Sequence, residues 1–134
     1  MRLTDFYTTL QERLDAALPT FIGPADDLPT RDGSVEQSAV IWATPGDPAH
    51  RANTKASHER RESFNIVCVG ATSLDALASA QKVRAAIAYW VPNAGAAPVT
   101  ETGLSMSPAA EPGTDPVRVS VTLQFTTTTK EHHG

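Results

Sequence analysis

The chain has 134 residues, which is the size of a single domain and is long enough to bury roughly two-thirds of the surface of the unfolded chain. At 40% hydrophobic and 19% charged residues it is too apolar for a disordered protein, and it has no apolar run near the ~20 residues of a membrane span. The net charge of −4 disfavours general nucleic-acid coating, and the single cysteine, Cys68, excludes an internal disulfide.

The first predicted element is an amphipathic helix. Apolar residues recur at steps of three and four over residues 3–18, which predicts a helix that begins near Thr4 and ends before Pro19. Residues 19–37 hold three prolines and two glycines, which predict an irregular surface connection. Residues 39–43 form a short β-type run that predicts a strand.

A long polar loop, residues 45–62, is predicted after this strand. It holds no large apolar side chain, so we expect no contribution to the core, and it is longer than ordinary connections. Residues 50–62 carry four Lys or Arg and two Glu on an otherwise acidic chain. Two interpretations stay open: a solvated flexible loop, or an arm that orders against a partner. In the second, the partner-binding residues are Arg51, Lys55, His58, Arg60 and Arg61.

The centre of the chain is a strand that leads into a helix. Residues 64–69 alternate in a way that predicts a central strand, and a short turn then leads to a helix beginning at Ser73. Thr72 is the expected N-cap of this helix, with Asp75 in its first turn. One apolar stripe is expected to face the sheet, and it comprises Ala76, Leu77, Ala80, Val83, Ile87 and Trp90.

The last part of the chain predicts two more strands. Residues 103–107 form a short alternating run, and residues 117–125 alternate without error. The predicted buried face of the second strand comprises Val117, Val119, Val121, Leu123 and Phe125. The polar tail, residues 127–134, is expected to fray. The order α-β-β-α-β-β predicts an α+β domain over residues 1–134, with an antiparallel, possibly mixed, four-stranded sheet and two helices on one face.

The sequence carries no catalytic or metal-binding signature. The segment His58–Glu62 begins like the helical motif of zinc proteases, but Glu62 stands where that motif needs a second histidine. We therefore expect no catalytic residue, no metal and no cofactor. Cys68 lies in a strand centre, which favours a buried core residue. Trp42 and Trp90 are expected to anchor the core or its rim, and either could lie at a subunit interface.

Several features together carry a resemblance to a known family. They are the N-terminal helix ending at Leu18-Pro19, the Trp-containing strand before a polar loop, the block Phe64–Thr72 that opens the second helix, residues 83–87 within that helix, and the Thr-rich end of the closing strand at 125–129. In these features, which extend over most of the chain, the sequence resembles the tail terminator (tail completion) proteins of long-tailed bacteriophages, particularly those of actinobacterial phages.

The resemblance implies a structural virion protein and not an enzyme. Such proteins are small α+β domains that form a hexameric ring on the last ring of the tail tube, stop tube growth and present a surface for head-tail joining. The implied location is the tail-neck region of the virion, and the host cytoplasm during assembly. The implied partners are further copies of the chain, the major tail tube protein, and a head-tail connector or stopper protein. DNA is implied only as passing cargo in the ring lumen, and no membrane is implied.

Two alternatives stay open. The first is another component of the phage neck, such as a head-closure or connector protein, which would share the assembly role. The second belongs to a different class, a small monomeric ligand-binding domain or enzyme of α+β type. A ring in solution would favour assembly, and a monomer with a deep polar pocket would favour the second alternative.

Overall fold

The structure is a computed structural model that describes residues 2–25, 27–45, 47–48, 59–93, 96–103 and 107–130. Within these residues the helices are α1, Leu3–Asp15, and α2, Ser73–Ile87. The strands are β1 Thr20–Ile22, β2 Thr30–Arg31, β3 Ser34–Val35, β4 Ser38–Trp42, β5 Asp47–Pro48, β6 Glu59–Gly70, β7 Thr100–Glu101, β8 Ala109–Ala110 and β9 Val119–Lys130. The α+β class predicted from the sequence is confirmed.

The main sheet is mixed. Its strand order is β1-β4-β6-β9-β7, with β5 paired to β6 and β8 paired to β9, while β2 and β3 form a separate small hairpin. Strands β1 and β4 run parallel, and the other pairs are antiparallel. The prediction of a four-stranded sheet, antiparallel and possibly mixed, is therefore only partly right. The strands that it missed have two or three residues, which is too short for an alternating pattern to be recognised. Of the predicted strand at 103–107, residues 104–106 lie outside the described residues.

Strand β1 lies at an edge of the sheet, inside a segment that the sequence predicts to be irregular. The outward backbone groups of Thr20 are bonded to side chains of α1: its N–H donates to Asp15 Oδ1 at 3.1 Å, and its carbonyl accepts from Gln11 Nε2 at 3.1 Å. Polar edge groups that are satisfied in this way do not recruit another strand. Helix α1 thus supports the edge strand that follows it.

The core lies between the two helices and one face of the sheet. Alternate residues of β4, β6 and β9 point to this face, and the register pairs Ile41 with Ile66 and Ile66 with Leu123. Phe64 and Phe125 stack with ring centroids 5.7 Å apart, and Phe6 of α1 meets Phe64 edge-on. The same cluster contains Leu10 and Leu14 from α1 and Ala80, Val83 and Ile87 from α2. The prediction that both helices pack on one face is therefore confirmed.

Helix α2 begins as the sequence predicts, but its buried stripe is rotated. Thr72 Oγ1 accepts a hydrogen bond from the Asp75 backbone N–H at 3.2 Å, which confirms the cap. Leu77, predicted to be buried, is 45% exposed, whereas Ser79 is fully buried and donates to the Val69 carbonyl at 2.6 Å. A small hydroxyl at this point lets the helix approach β6 closely. If the larger side chain of Leu77 faced the sheet, as predicted, it would hold α2 further from β6.

The buried face of β9 lies further along the chain than the alternation predicts. Val117 precedes the strand and is 58% exposed, and Val119 is only half-buried. The buried residues are Val121, Leu123, Phe125, Thr127 and Thr129. Residues 127–130 pair with residues 59–62 of β6, so this part of the tail is an ordered strand and not frayed. Residues 131–134 lie outside the described residues.

Candidate functional site

The predicted cationic arm is only partly described. Arg51, Lys55 and His58 lie outside the described residues. Arg60 and Arg61 lie on β6, and both pair with β5. The prediction of one structureless loop over residues 45–62 is therefore wrong at both ends. Residues 47–48 form β5 at one end, and backbone pairing extends β6 to Glu59 at the other.

Arg60 points to the helix side of the sheet and is part of a buried polar cluster. Its Nε donates to Glu62 Oε1, and the side chains are 14% and 0% exposed respectively. Tyr7 lies in the same region, where its hydroxyl accepts from Thr44 N–H at 3.0 Å. Burial raises the pKa of Tyr7. The expectation that residues 45–62 contribute nothing to the core is thus wrong for Glu62, and Arg60 belongs to the interior of the subunit.

Arg61 follows the strand alternation to the opposite side, where it is exposed. In the part of the chain that the structure describes, no helix covers this second face of the sheet. Its neighbours along β6 are the exposed side chains of Ser63 and Asn65, and the register places Asn65 beside Gln124. Of Arg60 and Arg61, the two predicted partner-binding residues that the structure describes, Arg61 is therefore the one on the surface.

The same face carries a small apolar cleft, which we name the Trp42 cleft. It has a volume of about 170 Å³. It is lined by Pro24, Ala25, Val40, Trp42, Val67 and Val69, with Glu111 and Arg118 completing the wall. Trp42 is 44% exposed although it is the largest side chain of the lining. Glu111 Oε2 and Arg118 Nε lie 3.6 Å apart, so the cleft combines aliphatic walls with an ion pair.

A second exposed aromatic residue, Tyr89, lies at the end of α2. It is 79% exposed, and its backbone has φ of 62°, a left-handed conformation that is rare for bulky residues. The conformation is held by two backbone hydrogen bonds, from Tyr89 N–H to the Val99 carbonyl and from Val99 N–H to the Trp90 carbonyl, both 2.8 Å. We name the exposed apolar group Ala88, Tyr89 and Val91 the Tyr89 knob.

An ion pair joins α2 to the strand beside the knob. Arg84 donates two hydrogen bonds from its guanidinium to the Glu101 carboxylate: Nε lies 2.7 Å from Oε1, and Nη2 lies 2.9 Å from Oε2. The hydrogen bond from Arg84 lowers the pKa of Glu101. Because two parallel bonds restrict rotation, the pair holds β7 in place against α2. The knob therefore projects from a supported part of the domain.

A wider groove separates the two helices. It has a volume of about 610 Å³, and its walls include Ala16, Ala85 and Trp90. The Arg13 guanidinium lies 5.1 Å from the centre of the Trp90 ring, and its Nε donates to the Ala86 carbonyl at 2.6 Å. The volume falls within the range of roughly 300–1,000 Å³ that is typical of small-molecule sites.

Cys68 is a core residue, as its sequence context predicts. Its thiol is fully buried, and burial raises its pKa to about 12. The thiol is therefore protonated near neutral pH, which makes it a poor nucleophile. Within the described residues, three or more metal-binding side chains do not come together, and neither helix is long and apolar enough to span a bilayer.

No protein-family model matches this chain, and no curated protein matches its sequence significantly. The Trp42 cleft, the Tyr89 knob and the groove between the helices are therefore interpreted from contacts within this chain alone. Sequence patterns indicated Trp42 and Arg61, but they did not indicate Tyr89, because its exposure and backbone conformation depend on its pairing with Val99.

Proposed function

We propose that the chain is a tail terminator of a long-tailed bacteriophage. In this proposal it is a structural virion protein that caps the tail tube as a homohexameric ring, ends tail elongation and forms the surface for head-tail joining. The observation that carries the proposal is the exposure of large apolar side chains on more than one side of the domain: Leu74 at 78%, Tyr89 at 79% and Trp42 at 44%. Such residues mark interaction surfaces when they lie together with other apolar groups.

The β6–β9 ribbon supports a contact with the tail tube. The two strands pair continuously from Glu59 with Lys130 to Gly70 with Val119, whereas β4 accompanies only the part from Asn65 to Val69. Arg61 is exposed near the end of this ribbon at which β6 begins, and in the sequence residues 49–58 come directly before β6. An exposed ion pair contributes less than about 1 kcal/mol, but a sixfold ring repeats every contact, so the sum can decide attachment.

Imaging and binding to polymerised tail tubes test this proposal. We expect the purified protein to form rings and to cap the ends of tubes. Replacing residues 49–58, which lie between β5 and β6, with a Gly-Ser-Gly linker leaves a turn long enough for the pairing of Pro48 with Arg60, so it should preserve the melting temperature and weaken capping. Arg61→Glu should weaken capping in a salt-sensitive way, since screening shortens the reach of surface charges. Arg31→Glu is the matched control, because Arg31 is also a surface arginine, with its side chain 80% exposed, on the separate β2–β3 hairpin.

Each alternative function gives a different result in the same experiment. A neck component other than the terminator would bind the head-side connector and leave tube ends bare. A monomeric ligand-binding domain has one feature in its favour, the groove beside Trp90, whose volume suits a small molecule. A protein that stays monomeric at high concentration, both alone and with tubes, would refute the terminator proposal.

A further inference from the structure

The Tyr89 knob and the Trp42 cleft differ in shape and lie on different sides of the domain. We propose that Tyr89 of one subunit inserts into the Trp42 cleft of the next subunit, and that this contact is the head-to-tail interface of the ring. This inference rests on the proposed function, because it takes a second copy of the chain as the occupant of the cleft. It adds the residues that would join the copies.

The conformation of Tyr89 is unfavourable within a single subunit. A side chain with a Cβ crowds the following carbonyl oxygen at positive φ, so glycine is the residue that a helix end of this kind favours. Tyr89 gains little in return, since 79% of it is exposed to water. Strained residues that the surrounding structure holds in place often belong to functional sites. A partner that buries the ring would supply the missing stabilisation.

The size and chemistry of the cleft suit a tyrosine side chain. Its volume of about 170 Å³ is below the roughly 300–1,000 Å³ of small-molecule sites, so a single side chain fits better than a free ligand. Trp42 offers an aromatic surface, and aromatic pairs are favourable beyond the area that they bury. Val40 and Val67 supply apolar walls, and the carboxylate of Glu111 is an acceptor for the phenol hydroxyl.

The two surfaces lie on different sides of the sheet, as a head-to-tail contact requires. Tyr89 lies on the helix side of the sheet, beside the β7 edge, through its bond to Val99. The cleft lies on the other side of the sheet, above β4 and β6, because Val40 and Val67 alternate with core residues. A contact between two different surfaces is heterologous and continues from subunit to subunit until the rotation closes. A two-fold dimer would instead need one self-complementary surface.

Sedimentation velocity and native mass spectrometry of the full chain provide the test. Tyr89→Ala removes the aromatic ring of the Tyr89 knob. Ala25→Phe fills the Trp42 cleft, because Ala25 is a half-buried loop residue of its lining. We expect each variant to weaken the subunit contact by about 30-fold or more, as truncation of an interface hot spot does, and to abolish rings at concentrations where the parent forms them. Leu77→Ala is the control, because Leu77 is an exposed apolar residue of α2 outside both surfaces.

A mixing experiment tests the head-to-tail geometry. A Tyr89→Ala subunit keeps its cleft and an Ala25→Phe subunit keeps its knob, so a mixture can form one intact contact per pair. We expect dimers in the mixture and no rings. If the parent forms rings and either variant still does, the inference is refuted while the proposed function stands. If the parent itself is a monomer with and without tail tubes, the proposed function is refuted, and the inference with it.

Discussion

Replacing Tyr89 with glycine should make the isolated subunit more stable. The φ of 62° costs a residue with a Cβ about 1–2 kcal/mol relative to glycine. The greater freedom of glycine in the unfolded chain offsets about 0.5–1 kcal/mol of that relief. Loss of the phenol ring adds little cost, because the residue is 79% exposed. We therefore expect the free energy of unfolding to rise by about 0.8 kcal/mol, within a range of about 0–1.5 kcal/mol; for a chain of 134 residues the central value raises the melting temperature by about 2–4 °C.

Urea denaturation and calorimetry at a concentration where the protein is monomeric measure this change. Tyr89→Ala is the matched control, since it removes the same ring and retains the Cβ that causes the strain. Because only the alanine variant retains a Cβ at positive φ, we expect the glycine variant to be the more stable of the two. Equal stabilities, or a glycine variant less stable than the parent, would show that the left-handed conformation of Tyr89 carries no cost in this fold. In a ring-forming sample the same glycine variant should assemble poorly, so its effects on stability and assembly have opposite signs.

Three further predictions concern the fold. Leu123→Ala should cost about 2–5 kcal/mol in urea denaturation because Leu123 is 2% exposed, while Val117→Ala should stay within about 0.5 kcal/mol. Gly70→Ala should destabilise by about 1–3 kcal/mol or prevent folding, because the new Cβ would lie 2.5 Å from the Ala76 nitrogen; a normal melting curve would contradict that packing. Glu101→Gln should cost less than about 1 kcal/mol at pH 7, since the ion pair is partly exposed. Arg84 lowers the pKa of Glu101, so stabilisation by the pair is complete above the ordinary pKa of 4.5 and is lost as pH falls through the lower folded value; parent and variant should therefore converge in acid.

Local patterns were sufficient for the long elements. The three-and-four spacing of α1 and the alternation of β4 appear in the structure with boundaries close to those expected, whereas β6 and β9 lie where alternation places them but extend further, to Glu59 and Lys130. The Thr72 cap is equally local, because a hydroxyl and an N–H three residues on determine it. These features depend on residues that are neighbours along the chain, so one sequence is enough to find them.

The position of the Trp42 cleft was only half determined by the sequence. Because side chains alternate along β4, Trp42 points to the face of the sheet that is opposite to the face of its neighbour Ile41, a core residue. A tryptophan on an exposed face indicates an anchor for a contact. The cleft exists because residues 24–25 and the pair Glu111 and Arg118, which are distant in sequence, lie around the same part of the sheet. Likewise, the alternation of β9 cannot show where the helices stop covering it, so Val117 was predicted to be buried and is exposed.

The amino-acid sequence by itself determined the class of the fold, the long elements and the identity of the central strand. Only the tertiary structure decided the mixed sheet, the burial of Glu62, the inward direction of Arg60 and the exposed, left-handed Tyr89. The physical reason is the range of the interactions. Periodicity and capping act within a few residues, whereas these features arise from backbone pairing and burial between segments such as residues 89–90 and Val99, whose proximity exists only in the folded chain.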